Sequence, residues 1–355
     1  MELIIKPTEL CNFACTFCSS TNLVEQQQTL PHEKIFRFLE RFPKTNTIIV
    51  NGGDPLMVPP EYYFKILDHL DQHLLPATLS LTTNLWDFYK RPDRWAELFK
   101  HPRVGIATSF QYGGARRITK EKELTEEVFI DIIKKFNDFI GYSPGFIAVI
   151  DEQNEDTVIR TVELAKRLGV VCKLNYANAS GRQIKPYPIS KMYAKYLEVF
   201  ERGLSDWEFS TKQMISSLAN KDTTCPLSRD CDSNIRCLNP DGQYFSCGSF
   251  GDDKEFSIDF DKEMQGSAIA TPLANSVYLN SLKRDCMICP GFNICNGCKK
   301  SVFDLKRLGT ASVEEHCANM KQLLPKLQWI NTKESYDRNN NDTSSTRPAQ
   351  SVHLT

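Results

Sequence analysis

Thirteen cysteines stand in groups along this 355-residue chain, and the grouping divides it before any secondary structure is considered. Cys11, Cys15 and Cys18 open the chain, and Cys172 stands alone. Cys225, Cys231, Cys237 and Cys247, then Cys286, Cys289, Cys295 and Cys298, and finally Cys317, crowd the last third. The start, MELIIKPTEL, lacks the basic region and apolar stretch of a secretory signal, and no apolar run reaches 18 residues. A cytoplasmic location without a membrane span is expected. In a reducing compartment, grouped cysteines mean metal or redox chemistry more often than disulfides. A 41% hydrophobic and 25% charged composition is that of a globular core, and a net charge of −1 gives no bulk hold on nucleic acid or membrane.

The first 180 or so residues alternate short apolar runs with amphipathic segments. Glu2–Lys6, Thr47–Val50, Ala77–Thr82, Arg103–Ser109, Gly145–Ile150 and Val170–Leu174 are β-rich, flanked by turn formers, and predict six strands. Helical patterns lie between them. His32–Phe42 aligns Ile35, Phe36, Leu39 and Phe42; Leu124–Ile140 aligns Val128, Ile132, Phe136 and Phe139; Asn154–Leu168 aligns Val158, Val162 and Ala165. Alternation of this kind predicts a parallel sheet with right-handed crossovers. Six such units are too few to close an eight-fold barrel, so the expected α/β fold is a partial (βα)6 TIM-like barrel.

Two further helices are expected over residues 190–220, with Tyr193, Tyr196, Leu197 and Phe200 on an apolar face. From Asp222 to Cys317 the chain is irregular and cysteine-punctuated, and would have to be held together by metal rather than by a large core. The expected organisation is a barrel with bridging helices (1–220), a small cysteine-rich domain (221–330) and a polar, disordered tail (331–355).

Cys11, Cys15 and Cys18 form C-x3-C-x2-C directly after the first strand. Three thiolates on a short loop can hold three irons of a [4Fe–4S] cube and leave the fourth open, whereas an electron carrier uses four cysteines. A zinc site is the plainer alternative, though zinc favours paired C-x2-C knuckles with four ligands. The motif resembles that of the radical S-adenosylmethionine (SAM) superfamily, in which the open iron chelates SAM. One electron then releases a 5′-deoxyadenosyl radical that abstracts hydrogen from substrate. The resemblance implies a catalytic role for Cys11, Cys15 and Cys18, and extends to the aromatic Phe17 before the third cysteine.

Further positions follow in order. Gly52-Gly53-Asp54-Pro55, after the second strand, resembles the family motif that receives the SAM amino group. Its glycines allow close backbone approach, and Asp54 could complement an ammonium; a simple turn is the other reading. Thr83-Asn84 and Ser109 sit at strand ends where the family contacts SAM, although polar residues there also serve as caps. All lie at carboxyl ends of strands, where α/β sheets place ligands.

Cys231-x10-Gly242-x4-Cys247, followed by Cys286-x2-Cys289-x5-Cys295-x2-Cys298 and Cys317, resembles the SPASM extension of radical SAM enzymes. One residue is missing before Cys298 relative to the family pattern, and two structural zinc ribbons are the alternative. The resemblance implies two auxiliary [4Fe–4S] clusters, one on Cys225, Cys231, Cys247 and Cys298, the other on Cys286, Cys289, Cys295 and Cys317. Cys172 is then a core residue, and Cys237 is expected to be a non-ligand pointing into a small core from a hairpin.

SPASM enzymes mostly modify peptide or protein side chains, so an oxidative modification or cross-link of a peptide is the implied reaction. A reducing partner such as flavodoxin or ferredoxin is implied with it. Formylglycine formation is disfavoured, because Gly248 stands where that subgroup has an aspartate and Ser19-Ser20 follow the third cysteine. The cluster motif begins at residue 11, so no leader-binding domain is expected before it. That keeps modification of a small molecule, nucleotide or nucleic-acid base as an alternative. Arg116, Arg117, Lys120 and Lys122 form a local basic run, whose plainer reading is a solvated helix start. A non-catalytic iron–sulfur carrier is the third reading, but it needs neither an open iron nor GGDP.

Overall fold

The computed structural model describes residues 1–20, 28–218, 234–263, 288–289 and 299–340. Six parallel strands come first: β1 (Glu2–Ile5), β2 (Thr47–Val50), β3 (Thr78–Thr82), β4 (Val104–Ser109), β5 (Gly145–Ile150) and β6 (Cys172–Tyr176). Each lies within two residues of its expected place. Strands β7 (Ile235–Leu238) and β8 (Tyr244–Phe245) complete an eight-stranded sheet of order β6-β5-β4-β3-β2-β1-β7-β8. The sheet does not close on itself, so the barrel is open and mostly parallel. Parallel strands are covered on both faces, and Leu3, Ile5, Ile48, Val50, Leu79 and Leu81 are accordingly buried.

The helices α1 (His32–Arg41), α2 (Pro60–Gln72), α3 (Trp86–Lys90), α4 (Pro92–Phe99), α5 (Glu126–Ile140) and α6 (Val158–Leu168) make the crossovers. Helix α5 starts two residues later than its periodicity suggests because Thr125 is its cap, accepting from the Val128 N–H at 3.4 Å. Gly141, at φ 97°, ends it in the left-handed conformation. Phe139, expected on its buried face, is 36% exposed and meets Phe88 only edge-on. Helices α2 to α4 were not legible as such. Pro60 and Pro92 open α2 and α4 at first-turn positions, where a missing N–H costs nothing.

Helices α7 (Ile189–Glu201) and α8 (Phe209–Leu218) match the expected pair. The expected hairpin is present, with Cys237 opposite Phe245, but it does not stand apart from the barrel. Its first strand pairs in parallel with β1, Glu2 beside Ile235 and Ile5 beside Leu238, so the cysteine-rich region begins inside the barrel sheet. After it come α9 (Gly248–Asp253), α10 (Phe260–Glu263), α11 (Lys299–Leu308) and α12 (Thr310–Asn340). Helix α12 returns to α7, with Trp329 edge-on to Phe200 at 6.4 Å. It continues to Asn340, into the segment expected to be a disordered tail; residues beyond it lie outside the described ones. Among the described residues, no helix is long and apolar enough to cross a membrane.

Candidate cluster and SAM site

The loop carrying Cys11, Cys15 and Cys18 leaves the carboxyl end of β1 and is gripped from three sides. From β2, Gly53 donates to the Thr8 carbonyl at 2.9 Å and Asp54 to that of Leu10 at 2.8 Å. A Cβ on Gly52 would lie 2.4 Å from the Thr8 oxygen, and one on Gly53 2.1 Å from that of Leu10, so only glycine fits here. From β4, the Ala115 and Arg117 carbonyls accept from Thr16 and Ala14 at 3.0 and 2.9 Å, straddling Cys15. From β6, the Arg182 N–H and guanidinium donate to the Cys18 and Cys15 carbonyls, both at 3.0 Å. Gly181, at φ 60°, presses so close that a Cβ would meet the Cys18 oxygen at 2.4 Å.

The thiols therefore project from a fixed backbone. The Phe13 N–H points at the Cys11 sulfur from 3.3 Å, and the Asn84 amide from 3.9 Å. Burial, and secondarily Asp54, raises the Cys11 pKa far above the ordinary thiol range; burial pushes Cys18 up to about 11. Such thiols ionise when a cation replaces the proton. Among the described residues, no three Cys, His, Asp or Glu side chains converge on a single-ion site. Three soft donors on a glycine-cradled loop, aided by N–H donors, do fit the multi-iron cluster implied for the loop.

Asp54 is 2% exposed, and its carboxylate is occupied within the protein. It accepts from the Leu56 N–H at 2.9 Å, the Asn84 N–H at 2.8 Å and the Thr83 hydroxyl at 3.0 Å. Burial raises its pKa to about 6 against those three donors. The side chain thus caps the turn Pro55–Met57 and latches β2 to β3. Asp54→Ala is expected to lower stability by about 2 kcal/mol through the lost cap and latch. Asp54→Asn, which keeps an acceptor, should lose less. Denaturant midpoints check this, and an unchanged midpoint in Asp54→Ala would show that the latch contributes nothing.

Thr83 and Asn84 act as caps: Thr83 accepts from Leu85 at 3.1 Å and Asn84 from Trp86 at 2.8 Å. Asn84 also donates to Asn12 at 2.7 Å, which brings it to the cysteine loop. Ser109 accepts from the Arg116 guanidinium at 2.7 Å, and that guanidinium lies 5.1 Å from the Phe17 ring centroid. The basic run is no helix start. Ile118 donates to the Lys122 carbonyl at 2.8 Å in a tight turn, while Arg117 donates to Lys120 at 2.8 Å and Gly114 at 3.2 Å.

Sequence reasoning missed a buried polar cluster beneath the same loop. Lys6, 2% exposed, pairs with Asp252, lies 3.9 Å from Glu9 and donates to the Gly248 carbonyl at 3.3 Å. Burial opposes its charge, but Asp252, Cys237 and Glu9 together hold its pKa above the usual lysine range. Ser20 reaches Gly52 and Asp252 at 3.3 and 3.5 Å. No local pattern announces this cluster, because Lys6 and Asp252 are 246 residues apart.

Cys172 is a core residue on β6, as expected. Cys237 is fully buried between β7 and α9, where burial, opposed by Lys6, pushes its thiol up to about 12. Cys247 is half-buried at the start of α9, Cys289 is half-buried and Cys317 is exposed on α12. Cys225, Cys231, Cys286, Cys295 and Cys298 lie outside the described residues.

Known proteins align with these observations. The Radical SAM superfamily profile matches residues 5–165. Among solved structures, anSMEcpe with bound AdoMet and Cp18Cys peptide superposes with a TM-score of 0.67 at 15% identity, covering 94% of this chain and 99% of that one. Streptococcus suis SuiB bound to precursor peptide SuiA superposes with a TM-score of 0.56 at 17% identity, covering 83% and 71%. At these identities the likeness is one of fold. No curated protein sequence matches the chain. Over residues 5–165, with its cysteine loop at the carboxyl edge of an open, mostly parallel sheet, the chain matches the Radical SAM superfamily.

Proposed function

We propose that this chain is a cytoplasmic radical SAM enzyme of the SPASM type that abstracts hydrogen from a peptide or protein side chain and leaves it oxidised or cross-linked. The observation that carries the reading is the cysteine loop held by Gly52-Gly53, Ala115–Arg117 and Gly181-Arg182, in a chain sharing its fold with two proteins solved with peptides bound. When bound, the cluster and SAM supply a one-electron reductive cleavage that yields the hydrogen-abstracting radical. Cys11, Cys15 and Cys18 furnish three thiolates for that cluster. Asn84 and the Phe13 N–H orient Cys11, and the surrounding clamps keep the loop from moving as charge changes. Cys225, Cys231, Cys247 and Cys298 would hold one auxiliary cluster and Cys286, Cys289, Cys295 and Cys317 the other, and these would supply an acceptor for the electron left after abstraction. A flavodoxin or ferredoxin supplies the initiating electron. The two arginines of the basic run lend no support to reading the chain as a nucleotide or nucleic-acid modifier, since Arg116 is engaged by Ser109 and Gln111 and Arg117 by Gly114 and Lys120.

Anaerobically reconstituted protein given SAM and dithionite should form methionine and 5′-deoxyadenosine, and hold about twelve irons for three four-iron clusters. Cys237→Ala should hold the same iron, because its thiol faces the β7–α9 core. Full iron with no 5′-deoxyadenosine would move the reading to an electron carrier. Iron lost in Cys237→Ala would overturn the auxiliary ligand set alone.

A further inference from the structure

We propose that the outer side of the cysteine loop is a docking face for the electron donor, and that the donor is an acidic carrier of the flavodoxin class. The inference rests on the radical SAM reading of that loop and says where its electron enters. Cys15 is buried while the adjoining Thr16 is exposed, so the loop meets solvent one residue from a thiol that would carry iron. Two stretches of chain border that point. From the β4 side, the Arg117 carbonyl accepts from Ala14 and the Ala115 carbonyl from Thr16. From the β6 side, the exposed Arg182 holds the Cys15 carbonyl with its guanidinium at 3.0 Å.

Both stretches carry cations that the protein does not neutralise. Elsewhere Arg37 pairs with Asp261, Arg91 with Asp87, Arg160 and Arg167 with Glu126, and Arg202 with Glu198. Arg117, Lys120, Lys122, Arg182 and Lys185 have no carboxylate partner among the described residues. Arg117 donates to the Gly114 and Lys120 carbonyls, which fixes its guanidinium without cancelling the charge. Glu121 and Glu123 stand against these five cations, which leaves +3 here on a chain of net charge −1. A local excess of this kind steers an oppositely charged protein and raises its association rate by about 10- to 1,000-fold at low salt. Ile184, two residues beyond Arg182, is 86% exposed, an aliphatic group beside the charges. Transient redox encounters use small faces of this make-up, with an apolar point of contact inside a polar rim. A flavodoxin offers the complement, since the edge of its flavin is apolar and the surface around it acidic. One electron leaves the reduced flavin, which is oxidised, and enters the cluster, which is reduced; no bond forms between the two proteins.

The test uses reconstituted holoprotein with SAM, reduced either by dithionite or by flavodoxin kept reduced with NADPH and its reductase. Lys120→Glu combined with Lys185→Glu reverses two charges on the face, and Ile184→Ser removes its aliphatic group. With flavodoxin at about 20 mM salt, the rate of 5′-deoxyadenosine formation should fall about tenfold or more in the double variant. It should fall severalfold in Ile184→Ser. Raising the salt to about 300 mM should slow the wild type toward the double variant, which should itself change little. With dithionite, a small reductant that needs no docking, all three proteins should form 5′-deoxyadenosine at the same rate. Equal rates with flavodoxin in wild type and both variants would overturn the proposal. So would losses that dithionite reproduces, because these side chains would then act on the cluster or on SAM. Wild-type protein that a ferredoxin reduces and flavodoxin does not would overturn the choice of partner. A wild type that forms no 5′-deoxyadenosine even with dithionite would sink the radical SAM reading and this proposal together. One that does so with dithionite and flavodoxin, while both variants match it, would sink this proposal alone.

Discussion

Cys15→Ala is expected to abolish 5′-deoxyadenosine formation while leaving the fold and the remaining iron in place. The argument separates the thiol from its backbone. Cys15 is held by main-chain bonds: its neighbours Ala14 and Thr16 donate to Arg117 and Ala115, and its carbonyl accepts from Arg182. None of these needs the sulfur. Truncation should therefore cost little stability, and the circular dichroism and melting temperature should stay close to wild type. The donor set, by contrast, falls from three thiolates to two on the loop, which cannot hold the four-iron cube. Iron should drop by about four per chain, the content of one cluster, and SAM cleavage should fall to background rather than by a fraction. A variant that still cleaves SAM at an appreciable rate would overturn the assignment of this loop as the cluster site.

How much of this was legible in the sequence follows from the range of each interaction. The six barrel strands and helices α1, α5 and α6 were readable because their periodicity is local and their core faces are continuous. The cysteine spacing and Gly52-Gly53 were readable for the same reason: a glycine forced within 2.1–2.4 Å of a facing carbonyl leaves its mark at one position. What was not legible has a different cause. Helices α2 and α4 went unread although Pro60 and Pro92 sit at their first turns, where proline is compatible with a helix. Asp54 was read as a candidate partner of an ammonium, and its contacts within the protein were not legible. Its donors, Thr83 and the Asn84 N–H, come from the next strand over. Arg116 looked like one charge among four, and only the fold shows it turned inward to Ser109 and Gln111. The pairing of β7 with β1 joins residues over 230 apart, and no local pattern encodes it.

That same long-range pairing brings Lys6 to Asp252, and Lys6→Met is expected to destabilise the protein by about 3–5 kcal/mol, the cost of leaving buried carboxylates without their cation. Methionine matches the length of the lysine stem, so the loss is of charge and not of packing. Glu9 is 1% exposed and loses the cation 3.9 Å away, and Asp252 loses its direct partner. The effect should grow with pH. Burial, opposed by Lys6, raises the Glu9 pKa from 4.5 to about 8 in the native state, so the fold binds a proton there that the unfolded chain has already released. Raising the pH from 4.5 toward 8 therefore costs stability, with no further change above. Removing Lys6 takes away the larger of the two influences, with Ser20, that hold that value down, so the window in Lys6→Met should extend to higher pH and the variant should be least stable in alkali. Urea midpoints at pH 5 and pH 8.5 measure this directly. Removing Asp252 as well, in Lys6→Met with Asp252→Asn, should recover part of the loss, because the double variant no longer buries that uncompensated charge. A double variant no more stable than Lys6→Met, or a Lys6→Met protein equally stable at both pH values, would mean that Lys6 serves packing alone. Since Asp252 belongs to the helix that Cys247 begins, the same measurement reports how firmly the cysteine-rich region is tied to the loop of Cys11, Cys15 and Cys18.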